Sequence, residues 1–206
     1  MYMKPGLGIS MVLLLSSIGL PTHAWAGDSP AQEQAVVIDQ LTEGWPEKPR
    51  DLARVLAQKY GMPDESTSKM LVWENRGPFK RTILRREEVP HNMPKPHTDF
   101  LEQVIAFRVP TDRFNDVGTF DGSIVIRRTD GEMSATCDKE ENNIVSLNVA
   151  FDVVQRSRTV DEARHFLART IAELAAGQTP GYAQELKFPT QSIVDARDPD
   201  VPVSPE

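Results

Sequence analysis

Disulfide bonds cannot hold this chain together, because it has only one cysteine among its 206 residues. Since Cys137 has no intramolecular partner, packing must stabilise the fold. Positive charge is also in deficit, with 23 lysines and arginines against 30 aspartates and glutamates and a formal net charge of −7. This balance gives no indication of a nucleic-acid partner or of binding to an anionic membrane surface.

Long hydrophobic runs are missing as well. The uncharged apolar run at 9–20 has 12 residues, whereas a transmembrane helix needs roughly 20. It follows Lys4 and is followed by the small-x-small triplet 24–26, a pattern typical of a cleavable signal peptide. We therefore expect residues 1–26 to be removed by cleavage after Ala26. The mature protein is then expected to be periplasmic or secreted, with no transmembrane segment.

The rest of the chain divides by composition into three parts. Residues 27–48 are expected to form a flexible N-terminal segment, and residues 49–177 form one globular domain. A domain of this length can bury a core without covalent cross-links. Residues 178–206 are rich in proline and are expected to form a tail that docks partly through Tyr182 and Phe188. Its last dozen residues are expected to be disordered.

A first β-hairpin is predicted by two strand-like segments, 70–75 and 79–86, joined by the turn tripeptide 76–78. Cations lie on both faces of the second segment, which is typical of an edge strand whose charges discourage pairing with another chain. A site for an anion or an acidic partner is the alternative interpretation of these charges.

A second β-hairpin is predicted around Asp130-Gly131, which suits a two-residue type I′ turn. The flanking strands are 123–129 and 132–137. That turn would place Ile126 opposite Ala135 and would direct the side chain of Cys137 into the core.

Three helices are predicted by apolar residues at helical spacing and by terminal signals. One starts at Pro49 and stops at Gly61. A second follows the acidic segment 138–141. The third starts at the capping box 159–162 and ends at Gly177.

Two segments fit both helical and strand periodicity. Alternation favours a strand for 99–109, and length together with the acidic start favours a helix for 142–155. The whole pattern predicts a single α+β domain, with an antiparallel sheet of about five strands in two hairpins and C-terminal helices packed on one face. The other face of the sheet would then be free to bind a ligand.

Candidate chemistry is concentrated in the segment 89–103, whose three prolines predict a stiff, extended connector. It contains His91, His97, Asp99 and Glu102. Histidine and carboxylate side chains are zinc ligands, and His97 and Asp99 share a face of an extended chain. However, two histidines separated by five residues are not an established ligand spacing. The favoured interpretation is a histidine fixed by an aspartate that locks a loop onto the sheet, with no metal and no cofactor.

Recognised catalytic motifs are absent from the sequence. No serine lies in a Gly-x-Ser-x-Gly elbow, and a buried cysteine in apolar surroundings is inert. Acid–base catalysis by Asp121, Glu132 or Asp138 stays open, because paired carboxylates are defined by geometry. Arg127 on the polar sheet face and Asn148 inside a predicted helix are further candidate ligand-binding residues, although an amide such as Asn148 more often binds loop backbone.

The leading hypothesis is an exported, non-catalytic protein that binds a small molecule or another exported protein. It is motivated by the missing motifs and by the open sheet face beside the basic hairpin. One alternative is a metal-assisted hydrolase using His91, His97 and Asp99, with Glu102 as the base. Another is a structural or assembly partner that acts through the tail.

Overall fold

The structure is a computed structural model that describes Met1 and residues 30–205. The predicted signal peptide, apart from Met1, and its cleavage point after Ala26 lie outside the described residues. Among the helices of the described part, none has both the length and the hydropathy needed to cross a membrane.

A six-stranded antiparallel sheet forms the body of the fold, in the order β1-β2-β3-β4-β6-β5. Its strands are β1 (Glu65–Ser66), β2 (Met70–Arg76), β3 (Phe79–His91), β4 (His97–Ala106), β5 (Ile124–Arg127) and β6 (Glu132–Cys137). The predicted antiparallel sheet is therefore confirmed, and β1 is a two-residue addition at one edge.

The described residues also form six α-helices, and helices pack against the sheet, which confirms the α+β class. They are α1 (Pro30–Leu41), α2 (Glu47–Tyr60), α3 (Phe114–Phe120), α4 (Glu140–Val154), α5 (Val160–Ala175) and α6 (Ile193–Ala196). Apolar side chains of α1 and α2 join one core cluster, and those of α3, α4 and α5 join a second. Both ambiguous segments adopt the favoured structure, since 99–109 contributes to β4 and 142–155 to α4.

Local signals account for the best-predicted helix. The hydroxyl of Thr159 accepts a hydrogen bond from the Glu162 backbone N–H, and the Glu162 carboxylate accepts one from the Thr159 N–H at 2.8 Å. This capping box satisfies donors that the first helical turn leaves without partners. The predicted start of α5 is confirmed at this position.

The edge-strand prediction is wrong, because β3 lies between β2 and β4. Three of its four cations are paired with carboxylates from strands farther along the chain. Lys80 and Arg81 donate to buried Glu132, and Arg85 donates to Glu102, whereas Arg86 donates to the Gly44 carbonyl. The ion pairs neutralise these three cations, so the hairpin does not present an unpaired anion site at their positions.

The predicted register of the second hairpin is wrong by two residues. Ile126 lies opposite Met133, and Ile124 lies opposite Ala135. A type I′ turn needs a positive φ at both central residues, and of Asp130 and Gly131 only Gly131 has one, at 67°. The last pair before the turn is Arg127 with Glu132, so the loop is longer by two residues, both on the β5 side, and an even shift leaves the same side chains facing the core.

The N-terminal segment 27–48 is not flexible in its described part, contrary to the prediction. Residues 30–41 form α1, in which Ile38 is fully buried, and Trp45 is 5% exposed in the following turn. The physical reason is that these apolar side chains complete the core cluster over α2.

The tail docks as predicted through Phe188, which stacks on Phe151 with ring centroids 4.3 Å apart. Disorder of the whole last dozen residues is wrong. Ala196 at the end of α6 is fully buried, and Asp198 pairs with Arg108 at 3.0 Å. These contacts attach the tail to the sheet as far as residue 198.

Candidate functional site

The proline-rich segment forms a hairpin, and the prediction of an extended connector is wrong. β3 ends at His91, β4 begins at His97, and these two residues lie directly opposite each other. Because proline lacks a backbone donor, Pro94 and Pro96 interrupt the strand ladder and favour a turn. The pairing brings the two imidazole rings to a centroid distance of 5.0 Å.

Asp99 lies between the two histidines. Its Oδ2 is 3.2 Å from Nδ1 of His91, and its Oδ1 is 3.0 Å from Nε2 of His97. The Ser123 hydroxyl donates to Oδ2 and lies 3.1 Å from His91 Nδ1. Oδ1 is buried and receives no aligned hydrogen bond, so its short contact with His97 is an ion pair without hydrogen-bond geometry.

The three side chains bring one ligand atom each within 4.8 Å of one another. In a tetrahedral zinc site with bonds of 2.0–2.2 Å, neighbouring ligand atoms are about 3.3–3.6 Å apart. Asp99 makes its contacts of 3.2 and 3.0 Å through different oxygens, and the limit of 4.8 Å is wider than this separation, so the three side chains would have to move closer together to hold zinc. The structure nevertheless brings together His91, His97 and Asp99, which the sequence analysis selected.

The orientation of His97 is fixed by backbone. Its Nδ1 lies 2.8 Å from the carbonyl oxygen of Lys95, so Nδ1–H donates and Nε2 faces Asp99 and the Cys137 thiol. Asp99 and then Cys137 raise the pKa of His97 to about 11, against the opposing effect of burial. A metal ion would have to displace the Nε2 proton before it could bind there.

A cavity of about 390 Å³ lies beside this cluster. His91 and His97 line it, whereas Asp99 lies behind them. Asp121 also lines it, with Oδ1 3.4 Å from His91 Nε2, and burial raises the pKa of this carboxyl group. The remaining walls come from the hairpin turn, from the β6–α4 junction and from α5.

Comparison with known proteins adds no assignment. No family model, no curated protein and no solved structure matches this chain. The interpretation therefore depends on the geometry of the site itself. Two imidazoles and a carboxylate that meet at a cavity wall can hold a metal ion, or they can lock the hairpin by ion pairing.

Sequence reasoning missed part of this cluster. Cys137 was predicted to be buried, and it is 8% exposed, but its contact with His97 Nε2 at 3.3 Å was not anticipated. Burial raises the pKa of the Cys137 thiol, in keeping with an inert group. Ser123 and Asp121 follow α3, and no local pattern connects them to a hairpin that precedes them by about 30 residues. The sequence singled out Asp121 as a possible acid–base group, but only the sheet register could have connected it, Ser123 and Cys137 to the hairpin.

The structure does not bring the other candidates to this cluster. Glu102 lies on the opposite face of β4, where Arg85 and Ser134 donate to it, so its predicted role as a base for the cluster is wrong. Arg127 is exposed on the edge strand β5. Asn148 binds tail backbone through both its amide nitrogen and its oxygen, which confirms the loop-binding interpretation.

Proposed function

We propose that this chain is an exported binding protein whose ligand site is the cavity beside the β3–β4 hairpin. We further propose that His91, His97 and Asp99 hold a zinc ion at the wall of that cavity. The supporting observation is the approach of three ligand atoms to within 4.8 Å. Mixed nitrogen and oxygen ligands suit zinc or a related transition metal, whereas calcium and magnesium prefer all-oxygen sites.

One buried carboxylate oxygen supports the proposal. Oδ1 of Asp99 forms an ion pair with His97 Nε2 at 3.0 Å but accepts no aligned hydrogen bond, so its capacity as an acceptor is only partly used. A metal bond to Oδ1 would use the remaining capacity. Around it, the Lys95 carbonyl fixes the His97 ring and Ser123 holds the other Asp99 oxygen. Such outer contacts orient metal ligands in known sites.

The position of the cavity suggests an open coordination site. Three protein ligands leave a fourth tetrahedral position, which is typical of zinc sites that bind a substrate or water. The two imidazoles face the cavity and Asp99 lies behind them, so this position would point into the cavity. Its volume of about 390 Å³ falls in the range of small-molecule sites, roughly 300–1,000 Å³.

Zinc titration separates this proposal from an ion-pair lock, which the sequence pattern alone favours. Chelator-treated protein is titrated with zinc chloride in a calorimeter. We expect one zinc per chain, with affinity reduced by at least about 100-fold in His97→Ala and also reduced in Asp99→Asn. His165→Ala is the matched control, because His165 is exposed on α5 and its imidazole has its hydrogen bond and its ion pair with Asp161, far in sequence from the hairpin. Absence of stoichiometric zinc, or equal affinity in His97→Ala, contradicts the metal site.

A metal-assisted hydrolase is a second candidate, favoured by the position of Asp121. This carboxylate lines the cavity and contacts His91, so it is placed to accept a proton from a metal-bound water. Zinc-loaded protein is assayed with p-nitrophenyl acetate and p-nitrophenyl phosphate. Asp121→Asn should keep its zinc and lose about 100-fold in rate. If the rate of the unsubstituted protein does not exceed that of His97→Ala, the protein has no hydrolase activity towards these substrates.

A further inference from the structure

We propose that the ligand of this cavity is an amphiphilic carboxylate, with its head group at the metal and an apolar tail of about six to ten carbons along α5. This inference rests on the proposed zinc site. It names the class of molecule that would occupy the open coordination position. Three features support it, namely the apolar wall of the cavity, the charge of the proposed metal and the size of the cavity.

The apolar wall comes mainly from one stripe of α5. Leu167, Ile171 and Leu174 are spaced at helical intervals and line the cavity on the side of the helix that faces the core. Met93 in the hairpin turn lines it as well and is only partly buried. The polar end is formed by the two imidazoles. A cavity with one apolar wall and one ligating end is complementary to a molecule with an apolar body and a polar head.

The rim carries charges of both signs, so the preference for an anionic head group comes from the proposed metal cation. Lys95 and Lys139 line the cavity, and within residues 30–205 neither ammonium group forms an ion pair. Asp121 and Asp138 line it as well, and the hydrogen bonds that they accept, from the Ser123 backbone and the Asn142 amide, come from neutral donors.

Glu141 is the third acidic side chain of the wall, so three carboxyl groups stand there against two lysines. The N-terminus of α4 has Glu140 and Glu141 in its first turn, and these carboxylates already complement its partial positive charge. A metal cation held by the two imidazoles would therefore supply the attraction for an anionic head group at the ligating end.

The size of the cavity limits the length of the tail. A water molecule in the liquid occupies about 30 Å³. The cavity of about 390 Å³ therefore holds roughly a dozen groups of that size. A carboxylate with about eight carbons fills this space, and much longer chains would have to extend into solvent.

Chain-length dependence tests the inference directly. Acetate, butanoate, hexanoate and octanoate are titrated into zinc-loaded protein, with octylamine as the cationic comparison. We expect affinity to rise about fourfold per methylene until the cavity is filled. Octylamine should bind at least about tenfold more weakly than octanoate. Equal affinity for all four acids, or tighter binding of octylamine, overturns the proposal and leaves the zinc site standing.

Two sets of variants locate the tail and the head. Leu174→Gln should reduce octanoate affinity to about that of butanoate with zinc affinity unchanged. Leu52→Gln, in the other core cluster, is the matched control and should have no effect. The double variant Lys95→Glu/Lys139→Glu should lower the affinity for every acid by a similar factor, about fivefold. Because both lysines lie on the surface, this variant still tests the proposal if Leu174→Gln fails to fold.

Different results would overturn the proposed zinc site and the proposed carboxylate ligand. Loss of zinc binding overturns the proposed function and, with it, the head-group assignment. Equal octanoate affinity in His97→Ala and in the unsubstituted protein shows that the acid does not bind through the metal, and it overturns this inference alone.

Discussion

A methyl group on Gly131 should detach the C-terminal helix from the sheet. In Gly131→Ala the new Cβ would lie 2.4 Å from the carbonyl carbon of Ala196, and 2.6 Å from the Ala196 oxygen and the Arg197 nitrogen. Ordinary contacts of a Cβ begin at 3.4 Å. All three atoms are backbone, so no side-chain rotation relieves the overlap and the segment must move by about an ångström.

Two contributions determine the size of the effect. Gly131 has a φ of 67°, and an alanine in that region costs about 1–2 kcal/mol. Displacing α6 also exposes Ala196, which is fully buried, and weakens the pair between Asp198 and Arg108. A buried methyl contributes about 0.8 kcal/mol, and a partly exposed ion pair contributes 0–1 kcal/mol. We therefore expect a total loss of about 2–4 kcal/mol.

Gly177→Ala is the matched control. Gly177 also has a positive φ, of 79°, but a Cβ there meets nothing within 4 Å. The control should lose only the backbone contribution, about 1–2 kcal/mol. Free energies of unfolding are measured by urea titration with far-UV circular dichroism, and tail docking is measured by the rate of tryptic cleavage after Arg197. Equal stability and equal cleavage rates in the two variants would refute the contact between the turn and α6.

Three further predictions concern ion pairing, tail anchoring and metal binding. Glu132→Gln should destabilise the protein by about 2–4 kcal/mol at pH 7, because Lys80 and Arg81 lose their shared partner. Burial raises the pKa of Glu132, but the two cations lower it by more, to below its usual 4.5. This stabilisation is therefore present above pH 4.5 and is lost as the pH falls through the lowered pKa. Urea titrations should show that the difference in unfolding free energy between Glu132→Gln and the unsubstituted protein is smaller at pH 3 than at pH 7. Asn148→Ala removes three hydrogen bonds to tail backbone and should cost about 2–3 kcal/mol in thermal unfolding; an unchanged melting temperature would contradict this anchor. Zinc at 100 times its dissociation constant should stabilise the protein by about 2.7 kcal/mol, and the same zinc should leave His97→Ala unaffected.

Local signals predicted the elements whose ends are encoded within a few residues. The capping box at Thr159 fixes the start of α5, and Gly77-Pro78 fixes the turn between β2 and β3. The charge pattern of β3 was misinterpreted because its neutralising partner Glu132 lies about 50 residues later in the chain. A sequence pattern shows the cations of a strand, but it does not show which carboxylates the next strands place beside them.

The sequence predicted which residues form the site, but it did not predict how they are arranged in space. His91 and His97 were selected, but their five-residue separation did not reveal that they are opposite each other across a hairpin. The turn there has prolines in place of the glycine dipeptides that identify common hairpins. Ser123 and Cys137 reach the cluster only through pairing of β4 with β6 and of β6 with β5. Such contacts are long-range and leave no periodic trace in the sequence.

The pairing of His91 with His97 has a consequence for the order in which the chain folds. The three candidate metal ligands lie within the nine residues 91–99. Closing so short a loop costs little chain entropy, so an unfolded polypeptide can bring these ligands together as soon as one hairpin forms. The cavity needs α4 and α5, which come 40 to 80 residues later. Metal binding at the hairpin would therefore precede formation of the cavity.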